Sequence, residues 1–503
     1  LMEGAKWWNQ AFEAAGFINA FQVKLLPDDA DPMDLRYNMI NWVHRATRGW
    51  SYGYAVVDPR TGEILKGNVT LGSLRVRQDY MIAQGLLAPF TSDSLQGENR
   101  MMKMALQRLK QLAAHEIGHT LGIMHNYIAS SEGRASVMDY PPPVVQLNST
   151  GELDLTNAYT NEIGDWDKVT INYGYREFTN GSNEKAELNK ILTDAQSKGL
   201  TFISDRDARD PAGLHPTAHL WDNGTDAVTE LQTVLKVRAK ALSTFGINNI
   251  RKGAAMATLE DVLVPIYLFH RYQAEAASKV IGGMKYTYAL KGDGQVVTAA
   301  VPKEDQLKAL NSLLDCMDPT FLEIPAGLVK MIPPRPADYE YDRELFPRKA
   351  GLAFDPLAAA ESAADLPISL IMNVSRLNRI AEYEFLYNGP GVDEVLTTII
   401  NRLFPEKGLT GFQGLIQQQN QQLFLTYLLA GSTSENASFA TRGALIVSID
   451  KLKAQLNSRL TAATDNMQRG SILLALERMK SPDKAKPSIH LVAPPGAPIG
   501  CGF

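Results

Sequence analysis

Cysteine is almost missing from this chain: 2 residues, Cys316 and Cys501, among 503. At most one intrachain disulfide is available, which excludes a disulfide-stapled scaffold and leaves the redox compartment open. Long apolar runs are lacking too. None approaches the ~20 residues that a membrane-spanning helix needs. There is no excess of base: 50 Lys and Arg stand against 55 Asp and Glu, a formal net charge of -5, with both signs mixed along the chain. Without a basic stripe, nucleic-acid binding has no support. No fixed period repeats, so a solenoid is not supported. The sequence opens on Leu1 with no charged, apolar and small-residue signal order, and any targeting segment is expected upstream. The rest is the composition of a soluble globular protein, 45% hydrophobic and 21% charged, too long for one ordinary core.

Histidine is also scarce. Of 8 in the chain, three fall within eleven residues, His115-Glu116-Ile117-Gly118-His119-Thr120-Leu121-Gly122-Ile123-Met124-His125. Histidines four apart share one face of a helix. Neutral imidazoles ligate zinc, and three protein ligands leave an open coordination position for chemistry. Glu116 follows the first ligand and is placed to take a proton from metal-activated water. His125 cannot join from the same straight helix, so the chain must bend, and Gly122 sits where a left-handed turn is needed. A buried pair of core histidines is the plain alternative. The extended pattern, from a residue type so sparingly used, speaks against it.

The stretch resembles the long consensus of the metzincin metallopeptidases. Ser136-Val137-Met138-Asp139-Tyr140 looks like that family's methionine turn, with Met138 beneath the zinc. Tyr140 matches the position where some metzincins carry a tyrosine near the metal. The closest resemblance is to large bacterial secreted zinc-dependent metalloproteases with a Met-zincin signature. It implies an α+β fold: a metzincin-like catalytic domain, with a twisted sheet and an active-site helix, followed by a mainly α-helical C-terminal region. The expected division is 1–178 for the peptidase domain, 179–225 for a turn-rich connecting segment packed on it, and 226–503 for the helical region. The resemblance further implies an extracellular, periplasmic or cell-surface location. It also implies a substrate-binding edge strand, which in this chain is Gly67, Asn68, Val69, Thr70 and Leu71.

Periodicity adds detail. Trp7, Trp8, Ala11 and Phe12 recur at helical spacing, and Phe21 to Leu25 alternates like a strand. Further strands are expected at Tyr37 to Val43, Tyr52 to Val57 and Ile64-Leu65. A long helix from Asn99 to Leu121 carries Met102, Leu106, Leu109, Leu112 and Ala113 as its apolar stripe. Asn161 to Tyr175 reads as a closing helix. The acidic run from Asp205 to Asp210 raises the possibility of additional Ca²⁺, although no calcium-loop spacing is present. His215 and His219 raise that of a second metal site, against which Pro216 argues. Later helices are expected at Asp226 to Phe245, Leu259 to Val280, Lys303 to Leu314, Ile368 to Tyr387, Val392 to Leu403, Phe412 to Leu429 and Ala444 to Leu460. The amide-rich tract Gln417 to Gln422 reads as a solvated helix face.

The function expected is zinc-dependent hydrolysis of a protein or peptide substrate, with Glu116 as general base, Tyr140 as oxyanion donor and one Zn²⁺ on His115, His119 and His125. Two rivals stay open: a zinc amidase acting on non-protein amides, and a binding or scaffold protein that keeps zinc for structure. Nothing in the sequence fixes the oligomeric state.

Overall fold

Two tryptophans begin the core. A first helical turn, Met2–Ala5, leads into the helix Trp8–Ala14, and Trp7, Trp8, Ala11 and Phe12 are all buried. The Trp8 indole N–H donates to the Ala114 carbonyl at 2.7 Å, which ties this end of the chain to the long helix Ser94–Thr120. In this computed structural model, residues 1–45, 51–91, 94–463, 465–485 and 492–496 are described. Phe21 to Leu25 is a correction to the sequence reading: Phe21 and Val23 pack at the margin of the Trp8 cluster, but among the described residues the segment pairs with no strand. Alternation there reflects burial of one side without a partner ladder.

Three strands make the sheet beside the long helix: β1 (Met39–Val43), β2 (Tyr52–Val57) and β3 (Ile64–Gly72). Their order is β1-β3-β2, with β3 parallel to β1 and antiparallel to β2. This overturns the expected edge role of Gly67, Asn68, Val69, Thr70 and Leu71. Asn68 faces Met39 on one side and Tyr54 on the other, and Thr70 faces Asn41 and Tyr52, so both sides of β3 are paired. Burial explains the placement. Val69 and Leu71 are fully buried, whereas β2 presents Tyr52, Tyr54, Val56 and Val57 to solvent, so the more apolar strand takes the centre. Among the described residues the free edges belong to β1 and β2.

The stripe on the long helix is also displaced from the sequence reading. Met102 and Leu106 are exposed, while Met101, Met104, Ala105, Leu109, Leu112 and Ala113 are buried. This helix is packed on two sides, by the sheet and the N-terminal helices on one and by the helix Leu74–Leu87 on the other. Met101 and Met104 fill a cluster with Ile82, Leu86 and Tyr159. A helix held between two layers shows no single stripe.

Beyond residue 226 helices dominate, at Ala227–Thr244, Lys303–Asp315, Val392–Leu403, Gly411–Thr433 and Phe439–Ala462. Two expected helices are broken. Leu259–Tyr267 and Arg271–Ser278 replace one, with Pro265 inside the first and unable to donate. Pro356–Ile371 and Val374–Tyr387 replace the other, because the Asn373 side chain accepts from Ser375 and Arg376 N–H and caps a new start. One apolar core runs from Val228 to Met479. Cys316 is a buried free thiol within it, and Cys501 lies outside the described residues.

The amide tract is not a solvated face. Asn420 is 1% exposed and donates to the Met317 carbonyl at 2.7 Å. Gln419, Gln421 and Gln422 donate to the carbonyls of Leu357, Leu403 and Ser471, and Gln417 accepts from Leu409 N–H. Each of these five amides takes up a backbone group on a neighbouring segment, so the tract staples helices together. Asn420→Ala leaves the Met317 carbonyl buried without that donor and opens a small void. It should lower unfolding free energy by about 1–3 kcal/mol in a urea titration, with zinc content unchanged.

Candidate metal centre

The long helix ends in a turn that its glycine makes possible. Gly122 has φ +81°, the left-handed region. Ile123 N–H donates to the Gly118 carbonyl and Gly122 N–H to the His119 carbonyl, both at 3.1 Å. This is a Schellman closure, with Gly122 just past the helix. It reverses the chain so that His125 returns to the face carrying His115 and His119.

The rings converge. Centroid separations are 4.9 Å for His115–His119, 5.3 Å for His115–His125 and 4.6 Å for His119–His125. In each ring Nδ1 meets an oxygen that can only accept. His115 Nδ1 lies 2.7 Å from the Val137 carbonyl, and His119 Nδ1 lies 2.9 Å from the Ile123 carbonyl. His125 Nδ1 lies 2.9 Å from Asp205 Oδ2. All three rings therefore carry their proton on Nδ1 and turn a lone pair inward on Nε2. Acidic protonation of these rings is disfavoured. Burial pushes His115 well below the usual imidazole range, helped by His119 and His125, and it pushes His119 down to about 4. Burial lowers His125 as well, against the pull of Asp205.

His119 Nε2 and His125 Nε2 stand 3.1 Å apart. With both lone pairs facing each other the contact is repulsive, and a shared cation would relieve it. Tetrahedral zinc with Zn–N bonds of ~2.0–2.1 Å sets its nitrogen ligands about 3.3 Å apart, so the donor set fits that ion. His115, His119 and His125 offer ligand atoms all within 4.8 Å of one another, and they are the one such cluster among the described residues.

The methionine turn supports the first ligand. Ser136 Oγ donates to Asp167 Oδ1 at 2.6 Å, and Val137 N–H donates to Asp167 Oδ2 at 2.8 Å. Asp167 also accepts from Gly164 N–H at the start of the closing helix Asp165–Tyr175. One buried carboxylate thus fixes both the turn and the helix. Met138 is buried against Gly118, where a Cβ would lie 2.2 Å from the Met138 sulfur.

A family model described as Met-zincin matches residues 97–411, more than half of the chain. The chain belongs to the Met-zincin family. No curated protein and no solved structure matches it.

In this Met-zincin, Glu116 is fully buried, and its main chain abuts β2 at Gly53, where a Cβ would stand 1.9 Å from the Glu116 carbonyl oxygen. Tyr140 is also buried, with its ring 5.1 Å from His115, 4.9 Å from His125 and 4.9 Å from Trp221. Asp205, Arg209 and Tyr127 join the site without a sequence signal for their roles. Asp205 lies 80 residues beyond His125, in a short helix Asp205–Arg209. Burial raises its pKa, but the bonds from His125 and Arg209 outweigh this and hold it well below the usual carboxylate range. Arg209 Nε donates to Asp205 at 2.6 Å, and its Nη2 reaches the Tyr127 hydroxyl at 2.8 Å and the Tyr140 hydroxyl at 3.5 Å.

Among the described residues the acidic run gives calcium no support. Asp205 is engaged as above, Asp207 accepts from the hydroxyls of Tyr286 and Tyr288, and Asp210 accepts from Ala212 N–H. Nor do His215 and His219 form a second metal cluster among the described residues; His215 Nε2 pairs with the Tyr286 carbonyl at 3.0 Å.

Asp205→Ala should weaken zinc binding about 10–100-fold in chelator competition, since His125 loses the partner that orients it. Gly118→Ala should lose zinc as well, through displacement of Met138, and should lower stability; Gly174→Ala, where the space is open, serves as control.

Proposed function

We propose that this Met-zincin is an endopeptidase with its active site at His115, His119 and His125. The convergence of three inward-facing Nε2 lone pairs, each fixed by a bond at Nδ1, carries the reading. Only three side chains cluster there among the described residues, which favours an open catalytic site over a closed structural one. His115, His119 and His125 would hold zinc, which would supply Lewis acidity to polarise a carbonyl and acidify water near neutral pH. Glu116, next to the first ligand on the same helix, accepts the proton of the attacking water and passes it to the leaving amine. Tyr140 donates a hydrogen bond to the oxygen that becomes negative in the transition state. Its packing against His115, His125 and Trp221 supports this role, because a fixed donor needs no reorganisation.

The substrate backbone is assigned to β2 in place of β3. β2 is an edge strand, and it runs past Glu116 at Gly53. An extended peptide added to that edge gains main-chain hydrogen bonds and is held across the metal. Binding through the backbone, away from chain ends, is the basis for reading an endopeptidase.

Glu116→Gln should keep zinc yet lower hydrolysis of an unfolded protein substrate about 10²–10⁴-fold. Tyr140→Phe should lower kcat about 10²–10³-fold with KM nearly unchanged. Zinc-loaded protein that cleaves no peptide, but does cleave small amides, would move the assignment to an amidase.

A further inference from the structure

Beside His125 lies a hollow of about 860 Å³ whose walls come from four separate stretches of chain. Met124, immediately before His125, forms one side. Phe202 and Ser204 to Asp207, at the start of the short helix Asp205–Arg209, form the second, and Leu214 the third. The fourth is a hairpin from the helical region, Met284–Tyr286 paired with Thr298–Ala300, which contributes Tyr286, Tyr288 and Val297. Asp205 belongs both to this wall and to the His125 hydrogen bond, so the hollow stands one side chain from a metal ligand.

Among the described residues, most polar side chains of the hollow are occupied by one another; the exposed Arg206 also lines it and is its one charged group outside these bonds. Asp207 takes the hydroxyls of both Tyr286 and Tyr288. The Tyr288 hydroxyl also accepts from Ser204 N–H, and Thr287 Oγ1 donates to the Val296 carbonyl. Asp205 is held by His125 and Arg209. What is left open, apart from Arg206, is mostly carbon: Met124 is 59% exposed, Tyr288 47% and Val297 69%. Large apolar side chains gathered around a concavity beside a reactive centre mark a binding surface. With its hydroxyls tied down, the aromatic pair is rigid before anything binds.

The geometry points to a specificity subsite here that takes a large apolar side chain, preferably aromatic, of a peptide substrate near the scissile bond. This rests on the peptidase reading for the word substrate, and it adds the class of residue recognised. An occupant gains no hydrogen bond from side chains already paired, so its affinity comes mainly from burying carbon. A basic side chain would lose hydration and be repelled by Arg206, and an acidic one would meet only a single exposed guanidinium, worth little beside the burial of carbon.

Two measurements test this on the full-length, zinc-loaded protein. The first maps cleavage sites in a peptide library for wild type, Val297→Glu and Val297→Lys; Val297 is on the exposed hairpin, and both variants should fold. Wild type should favour Phe, Tyr, Leu or Met at one fixed position beside the cleaved bond. Val297→Glu should shift that position towards Lys and Arg, and Val297→Lys towards Asp and Glu. The second measures binding of capped peptides differing only in Phe, Ala or Asp at that position to Glu116→Gln, by fluorescence anisotropy. Phe should bind about 10-fold tighter than Ala or more, and Val297→Glu in the same background should remove most of that gain. Cleavage profiles identical in all three proteins, or equal binding of Phe and Ala peptides, would overturn the subsite. Absence of hydrolysis together with a Phe preference that Val297→Glu erases would overturn the peptidase reading and leave the subsite standing.

Discussion

The bond at each Nδ1 is the constraint on which the metal centre depends. An imidazole has two nitrogens, and a ring free to turn can present either. Here Val137, Ile123 and Asp205 each take one Nδ1 proton, which leaves only Nε2 to face inward. The three acceptors come from the methionine turn, the bend after the helix and a helix 80 residues beyond the last ligand. Gathering three lone pairs in a buried place is electrostatically unfavourable in the absence of a cation, and burial also opposes protonation. The surrounding packing has to hold them there, and the binding of a divalent ion relieves the repulsion.

That packing relies on close approaches between backbone segments. Gly118 accepts the Met138 sulfur and the edge of Trp8, and Gly53 lies against the Glu116 carbonyl. Neither position has room for a Cβ, so the glycines set how near the methionine turn and β2 come to the helix. Asp167 completes the frame by binding Ser136 and Val137 on one side and Gly164 on the other. The closing helix therefore does more than end a domain. Its first turn fixes the carbonyl that orients His115.

Local features were legible in the sequence, and long-range partners were not. The histidine spacing and the bend at Gly122 follow from helix geometry, and both are found in place. Met138 was legible through family resemblance. The order of the three strands was not, because chain order says nothing about which strand enters the middle; that depended on the burial of Val69 and Leu71. The glutamine tract looked solvated, because an amide reads as polar whether it meets water or a carbonyl on another helix. Asp205 stood in view as one of several carboxylates, but only the fold reveals that it faces His125.

The position of Asp205 also bears on how the chain is built. The turn-rich segment expected to pack on the peptidase domain starts after a boundary near residue 178, and His125 draws its orienting carboxylate from within it. The family match behaves in the same way, running from 97 to 411 across that point and leaving the sheet outside. The same short helix sends Arg209 to Tyr127 and Tyr140, and the hairpin after Met284 reaches back to Asp207. The connecting segment thus supplies both the partner of His125 and the contacts to Tyr127 and Tyr140, while the helical region contributes the hairpin that meets Asp207. Asp205 stands in the wall of the hollow and bonds His125 Nδ1, so the shape of the one and the orientation of the other are linked through a single carboxylate.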